Sequence, residues 1–250
     1  MSNKFNMKGL FILVAGLVAI SSILSSCSSK KGTATVPLNG AGGTFPAPLY
    51  TKWFTEYDTL TGVQVNYNPV GSGAGITAIT DGTVDFGASD AIMTTGQIAA
   101  AEANHGPILA IPTTMGAVAI TYNLPALGTV QLKLTGQVLA NIYLKNILYW
   151  DDPAITNLNP GITLPHTAIA VVHRSDSSGT SFIFTNYLSK ISQQWASQIG
   201  YGTTVNWPGD IGGDGSAGVA GQIQQLPESI GYVELAYAVS NNMPVAIMQN

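Results

Sequence analysis

The 250-residue chain is long enough for one large domain or two small ones with a real hydrophobic core. Its composition, 46% hydrophobic and 9% charged, excludes intrinsic disorder, which needs low hydrophobicity and high net charge. The net charge of −4, without a basic run beyond the N-terminus, argues against a nucleic-acid partner. Arg174 is the only arginine, so an anion site here must rely mainly on groups other than clustered cationic side chains.

The N-terminus has the pattern of an export signal. A short stretch with two lysines precedes an apolar run over 9–24, which closes with the letters LSSC ending at Cys27. This resembles the bacterial lipobox, in which the signal is cut before a cysteine that carries lipid. We therefore predict a lipoprotein signal over 1–26, then the lipidated Cys27 and a flexible tether over 27–37. The alternative, a plain spanning anchor, disagrees with the shortness of the apolar run.

The rest of the chain alternates between strand and helix patterns, which predicts an α/β fold. Cys27 is the only cysteine, so the chain can form neither an internal disulfide nor a cysteine-based metal site. The predicted elements are a helix from Pro46 to Gly62, strands over 63–70 and 84–90, a short helix opening at 71–75, one or two strands over 111–123, a helix over 136–146, a helix start at Asp152, a strand over 169–174, a helix from about Thr180, a Gly-rich turn into a helix after 212, and a strand over 229–238.

Three turns share one design, in which a strand leads through a small polar turn into a helix start. A helix start has free backbone N–H groups and the positive end of the helix dipole, so it can bind an anion. Glycine lets the anion come close, and Ser or Thr hydroxyls add donors. A single such turn is more often a plain helix cap, whereas three of them beside the lone arginine favour an anion site. The turns are Gly43-Thr44-Phe45, Gly71-Ser72-Gly73 and Ser178-Gly179-Thr180-Ser181.

Two further residues fit such a site. Asp176 follows Arg174 closely enough to pair with it, and a guanidinium held by a carboxylate presents its other donors in a fixed fork; a surface salt bridge is the alternative. Asp90, at the end of VDFGASD, suits an anion that carries a proton, because a carboxylate accepts that proton and repels an anion without one. The spacing alone favours a capping or loop role for Asp90.

Six motifs resemble the periplasmic phosphate-binding protein of the bacterial high-affinity phosphate ABC transporter. From about Leu38 onward they read GAGGTFPAPLY, VGSGAG, DFGASD, WDDPAI, AVVHRSDSSGTSF and GYVELAYA. The resemblance implies a type II periplasmic binding protein, with two α/β lobes, a hinge, and phosphate enclosed between the lobes. It also implies that Asp176 orients Arg174. The phosphate ligands implied by matching position are Thr44, Phe45, Ser72, Asp90, Arg174, Ser178, Gly179 and Thr180.

The resemblance also sets the expected domains and partners. It implies lobe 1 over 38–118 and lobe 2 over 119–250, both incomplete, because family chains continue beyond GYVELAYA and this chain therefore looks truncated. The implied partners are inorganic phosphate, the permease subunits of a phosphate ABC transporter, and the membrane through a lipid at Cys27, in the periplasm or at the cell surface. No catalytic residue, cofactor, metal or nucleic acid is expected.

Three other functions fit the sequence less well. An exported phosphohydrolase would draw metal ligands from His173 and several aspartates, but the sequence has no HExxH, GxSxG or regular Asp/His spacing. A receptor for sulfate or molybdate disagrees with Asp90. A structural surface lipoprotein would not need three anion-binding turns around one arginine.

Overall fold

The computed structural model describes residues 36–209 and 211–249. The chain divides into two units, Met1–Val36 and Pro37–Asn250. The predicted signal, Cys27 and all but the end of the tether lie outside the described residues. The described strands and helices all belong to the second unit. Its strands are β1 (Leu38–Gly42), β2 (Val65–Asn68), β3 (Phe86–Ala88), β4 (Val118–Asn123), β5 (Lys133–Thr135), β6 (Ala170–Arg174), β7 (Ile211–Gly213), β8 (Ser229–Glu234) and β9 (Ile247–Gln249).

The first sheet is formed by the first three strands, in the order β2-β1-β3. β1 pairs in parallel with both neighbours, which requires a crossover connection between successive strands. The carboxyl ends of parallel strands meet at one edge of a sheet, which is where α/β proteins bind ligands. The loops that follow β1, β2 and β3 therefore start from the same edge.

The second sheet has the order β4-β8-β6-β7. β6 runs parallel to β7 and β8, and β4 is antiparallel to β8. β5 and β9 form a separate parallel pair. The carboxyl ends of β6 and β7 lie side by side, which places the segments after Arg174 and Gly213 next to each other.

Local sequence signals set the helix ends. α1 follows Pro46 and stops at Gly62, which adopts a left-handed φ of 74°, and α5 begins after Asp152, whose carboxylate accepts the Ala154 N–H at 2.8 Å. The α-helices are α1 (Ala47–Thr61), α2 (Ser72–Thr80), α3 (Thr95–His105), α4 (Gly136–Tyr143), α5 (Pro153–Thr156), α6 (Gly179–Ile191), α7 (Gln193–Gln198), α8 (Gly215–Gln225) and α9 (Leu235–Ser240). Within the described ranges, no helix is long and apolar enough to cross a membrane.

The largest hydrophobic cluster packs around the second sheet. Its fully buried members include Trp150, Trp195, Tyr143 and Tyr232. Burial of such large side chains is the main favourable contribution to folding. The predicted α/β class is confirmed by this arrangement of sheets and helices.

Two predicted strands were partly wrong, and one helix was missed. In the predicted strand over 111–123, only 118–123 forms a strand within the described residues, and 111–117 has no regular structure. The predicted strand over 229–238 turns helical after Glu234, because its carboxylate accepts two backbone N–H groups of the next turn and caps α9. α3 was missed although Thr94 and Gln97 form a capping box, a signal visible in the letters TTGQ.

Candidate functional site

Three predicted residues follow the three strands of the first sheet. Thr44 comes after β1, Ser72 opens α2 after β2, and Asp90 comes after β3. Ser72 is fully buried, and its hydroxyl accepts the Asp90 N–H at 3.1 Å and lies 3.5 Å from Asp90 Oδ2. A Cβ added at Gly43 would lie 3.4 Å from Asp90 Oδ1 and 3.3 Å from Ser72 Oγ. The common sheet edge therefore brings Ser72 and Asp90 beside the turn that carries Thr44.

Asp90 occupies an unusual electrostatic position. Burial raises the pKa of its carboxyl group from 3.8 to about 6, the nearby Glu234 carboxylate adds to this rise, and Arg174 and the Ser72 hydroxyl oppose it. A carboxyl group with such a pKa changes protonation state near neutral pH. Asp90 can therefore share a proton with a ligand oxygen at a modest free-energy cost.

Arg174 ends β6 and is held rigidly. Asp176 accepts from Arg174 Nε at 2.6 Å and from Nη2 at 2.5 Å, which is a bidentate pair. The remaining nitrogen, Nη1, lies 3.5 Å from Thr180 Oγ1 and 3.3 Å from Ser216 Oγ. The guanidinium is almost completely buried, so the pair is a buried one and the surface salt bridge considered from the sequence is excluded.

The predicted turn before α6 is also buried. Ser178, Gly179 and Thr180 are shielded from solvent, and Ser178 Oγ accepts the Ser181 N–H at 3.1 Å. The Ser178 hydroxyl therefore caps α6, which is the plain role considered for a single turn. The N-terminal end of α6 lies close to the first sheet, because a Cβ added at Gly179 would lie 2.6 Å from Asp90 Oδ2.

Direct hydrogen bonds join the two sets of residues. Thr44 Oγ1 lies 3.1 Å from Ser216 Oγ, and the Tyr237 hydroxyl donates to the Thr44 carbonyl oxygen at 3.1 Å. The Gly73 N–H donates to the Ser177 carbonyl oxygen at 2.9 Å. The structure thus brings the buried side chains of Thr44, Ser72, Arg174 and Thr180 into one polar cluster with the half-buried carboxylate of Asp90.

The Phe45 side chain is not part of this cluster. The Phe45 ring is half-buried and lies against Gly116, where an added Cβ would come within 2.7 Å of the ring. The contribution of the Phe45 backbone N–H to the site stays a prediction. Cys27 lies outside the described residues.

Three residues of the cluster were missed by the sequence reasoning. Ser216 contacts both Thr44 and Arg174, and Glu234 caps the helix that carries Tyr237. Ser216 had a usable signal, since the letters GGDGSAG repeat the design of a glycine-rich turn into a helix. Glu234 and Tyr237 gave no such signal, because GYVELAYA is an apolar run interrupted only by Glu234 and was interpreted as a strand throughout.

The potential metal ligands do not cluster. Within the described residues, no group of three or more His, Cys, Asp or Glu side chains is placed to hold a metal ion. Nδ1 of His173 lies 2.9 Å from the Arg174 carbonyl oxygen, and Nε2 lies 3.0 Å from that of Gly209. Each ring nitrogen of His173 therefore faces a main-chain carbonyl oxygen.

Known proteins are similar to this chain over most of its length. The model of the PBP superfamily domain matches residues 28–247. The chain is 45% identical over 222 residues to the phosphate-binding protein PstS of Xylella fastidiosa (89% of this chain, 60% of that protein) and 46% identical over 218 residues to PstS of Pasteurella multocida (87% and 62%). Both relatives are named as binding proteins. The chain spans about 60% of their length.

The solved structures show the same fold. A high affinity periplasmic phosphate-binding protein, PfluDING, bound with phosphate, superposes with a TM-score of 0.67 at 24% identity, over 86% of this chain and 62% of that one. The fold is thus shared at low sequence identity. Together, the family match over most of its length and the fold show that the chain belongs to the PBP superfamily.

Proposed function

We propose that this protein is an extracytoplasmic solute-binding protein that captures inorganic phosphate and delivers it to an ABC transporter. The observation that carries the proposal is the buried convergence of Arg174 Nη1 with the hydroxyls of Thr44, Thr180 and Ser216 beside the Asp90 carboxylate. The relatives at 45% and 46% identity are named phosphate-binding proteins, which supports the same ligand.

The donors suit a tetrahedral oxyanion. Asp176 fixes the guanidinium of Arg174 and leaves Nη1 directed toward the cluster. Hydroxyls and N–H groups at the starts of α1, α2 and α6 add donors without adding charge. Hydrogen bonds to a charged group contribute about 1.5–3 kcal/mol each, so several such contacts suffice for tight binding of one small anion.

The Asp90 carboxylate favours the binding of phosphate over that of sulfate. Hydrogen phosphate carries a proton that a carboxylate can accept, whereas sulfate at neutral pH does not. A buried carboxylate facing an unprotonated oxygen leaves two acceptors in contact, and a mispaired buried polar group costs roughly 1–3 kcal/mol. The raised pKa of Asp90, about 6, makes sharing of that proton more favourable.

The two sheets supply complementary parts of the proposed site. The first sheet carries Thr44, Ser72 and Asp90 in the segments that follow its strands. In the second sheet, Arg174 ends β6 and Thr180 lies in the helix that follows it. We assign 38–118 to one lobe and 119–250 to the other, with phosphate in the cleft between them. Thr44, Phe45, Ser72, Asp90, Arg174, Ser178, Gly179 and Thr180 are the proposed ligands.

Export and anchoring complete the proposal. The signal over 1–26 directs the chain out of the cytoplasm, and a lipid at Cys27 holds it at the membrane surface, where it meets the permease subunits. Cys27→Ala should leave the precursor uncut and unlabelled by a lipid probe. Normal processing and lipid labelling of this variant would rule out the anchor.

Calorimetric titration of the full-length protein with phosphate, followed by sulfate, tests the ligand. The proposal expects tight, saturable phosphate binding and much weaker sulfate binding. Asp90→Asn is the matched variant: an amide can donate to an unprotonated oxygen, so the preference for phosphate should shrink. Equal affinity of the wild type for both anions would contradict the role of Asp90, and failure to bind phosphate would contradict the function.

A further inference from the structure

Ser216, the second residue of α8, lies between two groups of the proposed phosphate site. We infer that Ser216 is a positioning residue, which orients the Thr44 hydroxyl so that its proton points toward the anion. This inference rests on the proposed function and adds to it a residue outside the eight implied ligands. Ser216 is 1% exposed, so its hydroxyl has to find its partners within the protein.

The contacts of Ser216 link the arginine to the first sheet. Its Oγ lies 3.3 Å from Arg174 Nη1 and 3.1 Å from Thr44 Oγ1. Its backbone N–H also points to Thr44 Oγ1, at 3.4 Å. Ser216 therefore contacts the Thr44 hydroxyl twice and, once, the guanidinium nitrogen that Asp176 does not hold.

The number of hydrogens on each group determines which atom donates and which accepts in these contacts. A guanidinium can only donate, so Ser216 Oγ accepts from Arg174. The single hydroxyl proton of Ser216 is then available to Thr44 Oγ1, which also accepts the Ser216 N–H. With both acceptor positions occupied, the Thr44 hydroxyl keeps its own proton free to donate. A hydroxyl prepared as a donor needs no reorientation when an anion arrives, which is the advantage of a preorganised site.

The start of α8 is built around the same groups. Asp214, its N-cap residue, makes no side-chain capping bond within the described part of the chain. The first two N–H groups of the helix go instead to Asp176 Oδ1, from Gly215 at 3.1 Å, and to Thr44 Oγ1, from Ser216. Gly215 has a left-handed φ of 65°, which glycine adopts readily. Helix α8 thus holds Thr44 in place, and it also holds Asp176, the partner of Arg174.

The test is a double-mutant cycle on the phosphate affinity of the full-length protein, with Ser216→Ala, Thr44→Val and the double variant. Ser216→Ala should weaken phosphate binding roughly tenfold, since it leaves the Thr44 proton undirected and one guanidinium hydrogen bond unmade. Because Ser216 acts through Thr44, adding Ser216→Ala to Thr44→Val should cost much less than it costs alone. If Ser216→Ala folds poorly, Ser216→Cys keeps the side-chain volume with only a weak acceptor.

Ser192→Ala is the matched control. Ser192 is also a buried serine at a helix start, where its Oγ accepts the Trp195 N–H at 3.2 Å. This variant should lower the melting temperature and leave phosphate affinity unchanged. Wild-type affinity in Ser216→Ala, or additive losses in the cycle, would overturn the positioning role alone. A wild type that does not bind phosphate would overturn the proposed function and this inference together.

Discussion

The two sheets contribute to one polar cluster, but they are supported differently. The second sheet rests on fully buried large side chains such as Trp150, Trp195 and Tyr232. The first sheet rests on a looser aromatic group, in which Tyr67 stacks on Phe86 with ring centroids 6.1 Å apart. One face of α1 is open to solvent, as its exposed residues Trp53, Tyr57 and Leu60 show.

This difference matches how each group of the site is held. Arg174 is held by residues on its own side, since its backbone N–H donates to the Tyr232 hydroxyl of the second sheet. The Asp176 carboxylate accepts two hydrogen bonds from the Arg174 guanidinium. Thr44 is held largely from outside its own sheet, by Ser216 and by Tyr237. The second sheet therefore acts as the rigid template, and the first sheet gains much of its order at the site from contacts with it.

The largest expected effect comes from removing a tryptophan from the second core. Trp150 is fully buried, and its indole N–H donates to the Glu228 carbonyl oxygen at 3.1 Å. Trp150→Ala should lower the free energy of unfolding by about 3–5 kcal/mol. Trp53→Ala, on the exposed face of α1, should lower it by less than about 1 kcal/mol. Denaturant unfolding of the full-length variants measures both, and equal losses would contradict the contrast between the two regions.

The sequence predicts the backbone of the site better than its side-chain contacts. The three strand–turn–helix units around Thr44, Ser72 and Ser178 depend on local signals, namely glycines, hydroxyl residues and the pattern of the flanking elements. The pairing of Arg174 with Asp176 also follows from near neighbours. These are interactions over a few residues, which a single sequence can show.

Long-range contacts could not be predicted in this way. Ser216 is 172 positions from Thr44, and no local pattern states that the two hydroxyls meet. The burial that raises the Asp90 pKa comes from packing of several distant elements, and from the residues alone a loop role for Asp90 was favoured. The sequence also could not show that one face of α1 is exposed to solvent. Leu49, Trp53 and Tyr57 recur at helical spacing, which is the pattern of core residues.

Gly179 is one of the points where the two regions approach each other closely at the site. A Cβ there would lie 2.6 Å from Asp90 Oδ2, and such a contact forces the carboxylate or α6 to move. Gly179→Ala should weaken phosphate affinity by roughly 100-fold, because displaced ligand groups lose several hydrogen bonds to the anion. Gly221→Ala, in α8, is the control, since no described heavy atom lies within 4 Å of its added Cβ. Calorimetry that finds equal affinities for the two variants would show that the close approach does not matter.

Asp90 gives a smaller effect that depends on pH. Its pKa is about 6 in the folded protein and 3.8 in the unfolded reference, so the folded state binds more protons between these values. The contribution of Asp90 to the stability of the ligand-free protein should therefore be greatest below about pH 4. This contribution should be lost as the pH rises through 6.

Asp90→Asn removes this titration and should flatten the pH dependence of stability between pH 4 and 6. At pH 7 the ligand-free variant should be more stable than the wild type, by at most about 3 kcal/mol, since one pKa unit corresponds to about 1.4 kcal/mol. Thermal melts of both proteins from pH 4 to 7 provide the comparison. Parallel curves for the two would mean that Asp90 is not the buried, weakly acidic group inferred from the structure.

Hydrogen-bond donors close to the anion, rather than the net charge of the protein, are expected to bind the phosphate. After residue 36 the chain has five cationic and 13 acidic residues, so long-range attraction cannot supply the affinity. The most direct test is to titrate the full-length protein with phosphate over a salt series at constant pH. Contacts within hydrogen-bond distance lie well inside the Debye length of about 8–10 Å at moderate salt. The affinity should therefore hardly change between low and physiological ionic strength, and a steep loss with salt would contradict an enclosed site.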